Sequence, residues 1–158
     1  MAIVLQTVPE VKGESQIAGY EGAIDLKDFS WGMTSPSQIG GSGMSGGKSS
    51  LTGISTSVDS GEHMPVFYKN GMGGKHYDKW TVTFFKQTGD KLEPYKKVIC
   101  EEVYVTNAND PTHENDPGFE HVGAECAKLT METLKQDAKG GMKMVGTVTI
   151  DTKAGTVK

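Results

Sequence analysis

Side chains along most of this chain alternate in character from one residue to the next. Between 79 and 87, Trp80, Val82 and Phe84 fall on one side and Thr81, Thr83 and Phe85 on the other. A pleated strand imposes that period of two, and a helix cannot use it to bury one face. The period recurs in 22–31, where Ile24, Leu26 and Asp28 face one way and Asp25, Lys27 and Phe29 the other, and again in 51–58 and 142–152. Segments 2–8, 95–106 and 124–134 read as strands too. Turn residues bound them: Pro9 ends the first, and Gly89-Asp90-Lys91 joins 79–87 to 95–106 as a hairpin. One stretch, 59–71, carries helix punctuation, with Asp59 at its start, an early Pro65 and Gly71 at its end. Met64, Phe67 and Tyr68 share a face of that helix at i, i+3, i+4 spacing. About seven strands and one helix predict a mainly β fold, a sandwich or a barrel.

Two stretches resist both periods. Residues 34–50 are dominated by Gly and Ser, and residues 107–122 are polar, with Asp110-Pro111 and Asp116-Pro117-Gly118. Both are expected to be long loops, and loops of more than ~12–15 residues in a compact domain tend to be functional. The 158 residues fit a single domain, 1–158, with 153–158 as a frayed tail.

The 16 basic residues are all lysines, and net charge is −4. Arginine is the usual bidentate ligand for phosphate and guanine, so its absence weighs against a nucleic-acid partner. No apolar run reaches the ~18 residues that a spanning helix needs, and the first residues lack a basic region and a long apolar core. The expectation is a protein without membrane insertion that, if exported, leaves without a cleaved signal peptide. Cys100 and Cys126 sit in strand-like segments and are expected to be small core residues, unbonded.

No chemistry-bearing pattern survives close reading. Gly46-Gly47-Lys48-Ser49 has the end of a phosphate-binding loop, but Ser42 stands where the earlier glycine is needed and no helix follows. His113 and His121, with Glu114, Asp116 and Glu120, have the residue types of a metal site without its spacing. His76 has no visible nucleophile or orienting partner. No catalytic residue, metal or cofactor is therefore predicted.

Several stretches, in order, resemble the haemolysin-coregulated protein (Hcp) family, the tube subunits of type VI secretion. They are the opening strand followed by Val11-Lys12-Gly13-Glu14-Ser15, the run from Gly22 through Asp25 to Ser30-Trp31-Gly32-Met33, the Gly/Ser-rich segment, the short helix, and Gly74-Lys75-His76 before a strand. The likeness runs over about 1–133 and is weakest over 142–158. It implies a compact β-barrel of two sheets with one helix. It also implies homohexameric rings that stack into a tube, and partners among sheath, baseplate, spike and effector proteins. A subunit of this kind is cytoplasmic before firing and extracellular afterwards. Ring stacking needs an axial contact, and the Gly/Ser segment is the candidate: Ile39, Gly40, Gly41, Ser42, Gly43, Met44, Ser45, Gly46 and Gly47. Three alternatives stay open: a phage tail-tube-like protein, a small hydrolase, and a secreted carbohydrate-binding sandwich using Trp31, Trp80 or Tyr77.

Overall fold

A computed structural model describes residues 2–34, 37–40, 43–46, 50–111, 114 and 119–158. In chain order its elements are β1 (Ala2–Val8), β2 (Ile24–Thr34), β3 (Ser37–Gly40), β4 (Gly43–Gly46), β5 (Ser50–Val58), α1 (His63–Gly73), β6 (His76–Thr88), β7 (Lys91–Asn109), β8 (Glu120–Gln136), β9 (Met142–Asp151) and β10 (Thr156–Val157). Every predicted strand and the helix are present, within a few residues at each end. The segment 34–50 is more than a loop, because β3 and β4 pair antiparallel within it. Ser37-Gln38-Ile39-Gly40 and Gly43-Met44-Ser45-Gly46 carry no apolar alternation from which that ladder could be read.

Eight strands form one sheet in the order β10-β9-β8-β5-β2-β1-β6-β7, and β8 pairs with β7 as well. The expected β-barrel of two sheets is corrected by this pairing: the long strands make a single sheet, and the only second ladder among the described residues is the β3–β4 ribbon. The physical cause is β8. Its 17 residues offer one edge to β5 through Glu120–Ala124 and then to β9 through Lys128–Gln136, while the other edge runs along β7. Continuous main-chain hydrogen bonding leaves no break at which two layers would part.

Three neighbouring strands break their alternation at one level. Tyr77 and Trp80 on β6, Cys100 and Val103 on β7, and Cys126 and Leu129 on β8 all face the core, although each pair is three residues apart. Register places Tyr77, Val103 and Cys126 in one cross-strand row and Trp80, Cys100 and Leu129 in the next. Glu102 lies between the rows at φ 56°, a left-handed conformation that is uncommon outside glycine. The flip lets a long strand turn across the core and keep apolar residues inside on both sides of the turn.

Bulges reset faces elsewhere. A register shift between Leu26 and Asp28 sends Asp28 outward and brings Phe29 against the core, which reverses the predicted assignment of those two residues, and Trp31 packs on the core as well. Burying an unpaired carboxylate costs far more than one bulge.

The main core centres on α1. Met64 and Phe67 are buried there, and Phe67 stacks edge-on with Trp80 at 5.8 Å while Trp80 meets Tyr77 at 5.6 Å. Complete burial of such side chains stabilises the fold by about 1.5–3 kcal/mol each. A smaller core of Val4, Ala23 and Phe85 lies on the opposite face of β1 and β6. Residues 13–23 fold over it, with Gly13 N–H donating to Gly22 O at 2.8 Å and Tyr20 packing edge-on against Phe85 at 4.9 Å.

Candidate assembly surfaces

The β3–β4 ribbon leaves the main sheet where β2 and β5 end. Thr34 pairs with Ser50 in the ladder, and their hydroxyls lie 3.0 Å apart at its base. Beyond that point Ser37 pairs with Gly46, Gln38 with Ser45, Ile39 with Met44, and Gly40 with Gly43. The predicted axial segment thus contributes six backbone positions to this ribbon: Ile39, Gly40, Gly43, Met44, Ser45 and Gly46. Gly41, Ser42 and Gly47 lie outside the described residues, as do Lys48 and Ser49. The ribbon's ladder is separate from that of the eight-stranded sheet.

A second surface escaped sequence reasoning. β10 covers β9 only near Ile150 and Asp151, with Thr149 and Lys158 exchanging main-chain hydrogen bonds of 2.9 Å. From Met142 to Val148 no strand pairs the outer edge of β9 among the described residues. Lys143 to Thr147 are exposed on consecutive positions, so both faces as well as the edge meet solvent. Met144 and Val145 are 50% and 58% exposed. An open, partly apolar edge invites pairing with another chain unless something covers it. Apolar residues on both faces of 142–148 were the available signal; only the topology says that the edge is free.

The candidate chemical residues do not assemble. His76 stands at an exposed position, 3.5 Å from an Asp78 carboxylate oxygen and stacked at 5.5 Å on Tyr104. His121 Nδ1 lies 2.9 Å from Ser57 Oγ, which resembles a base on a nucleophile, but the Ser57 side is buried in the sheet, where a substrate cannot reach it. His113 and Asp116 lie outside the described residues, and among those described no three His, Cys, Asp or Glu side chains converge as a metal site. Trp80 and Tyr77 are each 1% exposed, which removes them as a sugar platform. Burial raises the Tyr77 phenol above its ordinary pKa, opposed by the hydrogen bond that Asn70 Nδ2 donates to it at 2.7 Å.

Comparison with known proteins bears on the family and the fold. The family model described as "Type VI secretion system effector, Hcp" matches residues 5–137, well over half the chain. No curated protein matches the sequence significantly. Among solved structures, Hcp1 from Salmonella typhimurium superposes with a TM-score of 0.77 at 20% identity, covering 99% of this chain and 98% of its own. A structure described as a type six secretion system protein gives 0.87 at 17% identity, covering 99% of both chains. A type VI secretion system effector from Yersinia pestis gives 0.75 at 17% identity, covering 94% of this chain and 98% of its own. At these identities the superpositions establish the fold.

Proposed function

This chain belongs to the Hcp family of type VI secretion systems and is a structural tube subunit, and from that premise we propose that it assembles as a homohexameric ring which stacks on further rings. The match over 5–137 is the observation that carries the reading. Two features of the fold support it. A closed ring needs a head-to-tail contact between unlike surfaces, and a stack needs a separate axial one. The open β9 edge is assigned the first role and the segment Ile39 to Gly47, which overlaps the β3–β4 ribbon, the second. In this reading the tube is expelled by a contracting sheath, engages baseplate and spike proteins, and carries effectors in its lumen. The subunit waits in the cytoplasm and reaches the extracellular space with no signal peptide removed.

Light scattering coupled to size exclusion tests the ring. The expected result is six times the subunit mass, with a reductant present or absent. A strictly monomeric mass at tens of micromolar and moderate salt sinks the proposal.

A further inference from the structure

Three lysines crowd the β8–β9 turn. Lys135 on β8 pairs directly with Lys143 on β9, and like charges placed opposite one another repel. Lys139 lies between them at the tip, and all three are exposed. Among the described residues none of the three makes an ion pair. The turn's one acid, Asp137, is held by the backbone: its Oδ1 accepts the main-chain N–H groups of Lys139 and Gly141, each at 2.9 Å. Those bonds, with Asp137 N–H donating to Gly141 O at 2.8 Å, fix the shape of a slender tip, Ala138-Lys139-Gly140-Gly141.

Unpaired acid gathers at the other end of the strands. β1 runs along β6 from the Ala2–Phe85 pair to the Val8–Lys79 pair, so Val8 lies near the start of β6. A cleft of about 610 Å³ opens there, with Glu10 and Glu21 on its walls beside Gln6, Val8 and Thr81. Both glutamates are exposed, and neither makes an ion pair among the described residues. Val8, 50% exposed, offers apolar surface on which the stem of a lysine can lie.

Register separates the two features. Lys96 on β7 pairs with Phe84 on β6 and with Thr133 on β8, so the β8–β9 turn lies toward the Thr88 end of β6. β6 is 13 residues long, and at ~3.3 Å per residue a chain cannot place its own lysine tip in its own cleft. The β3–β4 ribbon leaves from the same end as the tip, because β2 runs antiparallel to β1 and continues to Thr34 beyond the Ile3–Leu26 pair.

We infer that the lysine tip at the β8–β9 turn docks in the Glu10–Glu21 cleft of a second copy in the next ring. This docking rests on the stacked-ring reading and gives the axial contact a receiving surface. Like ends repel and unlike ends attract, so charge selects how one ring meets the next. The groups are exposed, and salt screens them: the screening length falls from ~10 Å at 0.1 M to ~3 Å at 1 M. The contact within a ring, assigned to the β9 edge with its exposed Met144 and Val145, depends less on charge.

The test uses full-length protein, read by light scattering for ring mass and by electron microscopy for stacks, at about 0.1 M and about 1 M salt. Stacks are expected at the lower salt, and single rings of the same mass at the higher. Lys135→Glu with Lys139→Glu, and separately Glu10→Lys with Glu21→Lys, should each give single rings at both salts. The first pair turns the Lys135–Lys143 repulsion into an attraction, so its loss of stacking is not a loss of the fold. Both sets in one chain should restore stacks. So should a mixture of the two variant rings, each of which presents the charge that the other lacks. Single wild-type rings at the lower salt, or no restoration, overturn the inference and leave the ring standing. Stacks that survive the glutamate change alone send the tip to another anionic surface and overturn it as well. A monomeric wild-type mass removes the stacked-ring reading, and the inference with it.

Discussion

Gly13 shows what a single side chain can decide in this fold. A Cβ placed there would lie 2.4 Å from the Ala23 carbonyl oxygen and 2.5 Å from the Ile24 Cα, both main-chain atoms that cannot rotate away. Gly13→Ala should therefore cost about 1–3 kcal/mol as overpacking. For Gly123→Ala the three nearest atoms all belong to the Asn107 side-chain amide, the first at 2.4 Å, which can turn aside, so the change should cost less. Equal urea midpoints for the two variants contradict this account of 13–23 as a fixed cover. Tyr77 and Cys100 make a second prediction, for alkaline solution. Both are held above their ordinary values of 10.0 and 9.0, chiefly by burial for the phenol and by the Cys126 hydrogen bond for the thiol. Folded protein keeps these protons where unfolded chain releases them, so their contribution is intact below pH 9 and is lost as pH rises through 9 and then 10. Urea midpoints should fall over that window, and Tyr77→Phe should flatten its upper part. An unchanged slope in that variant removes Tyr77 from the account.

At the scale of elements, the β3–β4 ribbon is attached to the sheet through Thr34 and Ser50 and has a ladder of its own. Replacing Ile39 to Gly47 by a four-residue turn should leave the fold intact, since loop length contributes only roughly 0.6 kcal/mol per doubling. Single rings should persist in electron micrographs while stacking and secretion fail together. Normal stacks would move the axial role elsewhere, with 107–122 the next candidate, and dissociated rings would move the ribbon into the ring contact. The edge of β9 gives the complementary experiment. Val145 is exposed, so Val145→Lys should change subunit stability by no more than about 0.5 kcal/mol. A lysine there opposes strand addition at a free edge, and the solution mass should drop below that of the ring. A full-mass ring would show that the subunit contact lies on another surface.

Across the whole molecule, the order of strands joins residues far apart in sequence, and most of the architecture rests on those joins. Alternation in 79–87 and 142–152 was enough to identify strands, because a half-buried strand writes its period directly into the residues. Pro65 and Gly71 marked the helix in the same local way. The family was legible from short motifs kept in order. Four things were not legible: which edges β8 joins, where Glu102 turns left-handed, that Ser37–Gly40 and Gly43–Gly46 pair with each other, and that no strand among the described residues covers β9 from Met142 to Val148. The cysteines divide along the same line. Their apolar neighbours mark them as core residues, but that both turn inward depends on a flip shared by three strands. Side-chain period is a local property, set by steric and solvent demands on one segment. Pairing is set by which distant edge satisfies a strand's main-chain donors and acceptors, and only the folded chain brings those edges together.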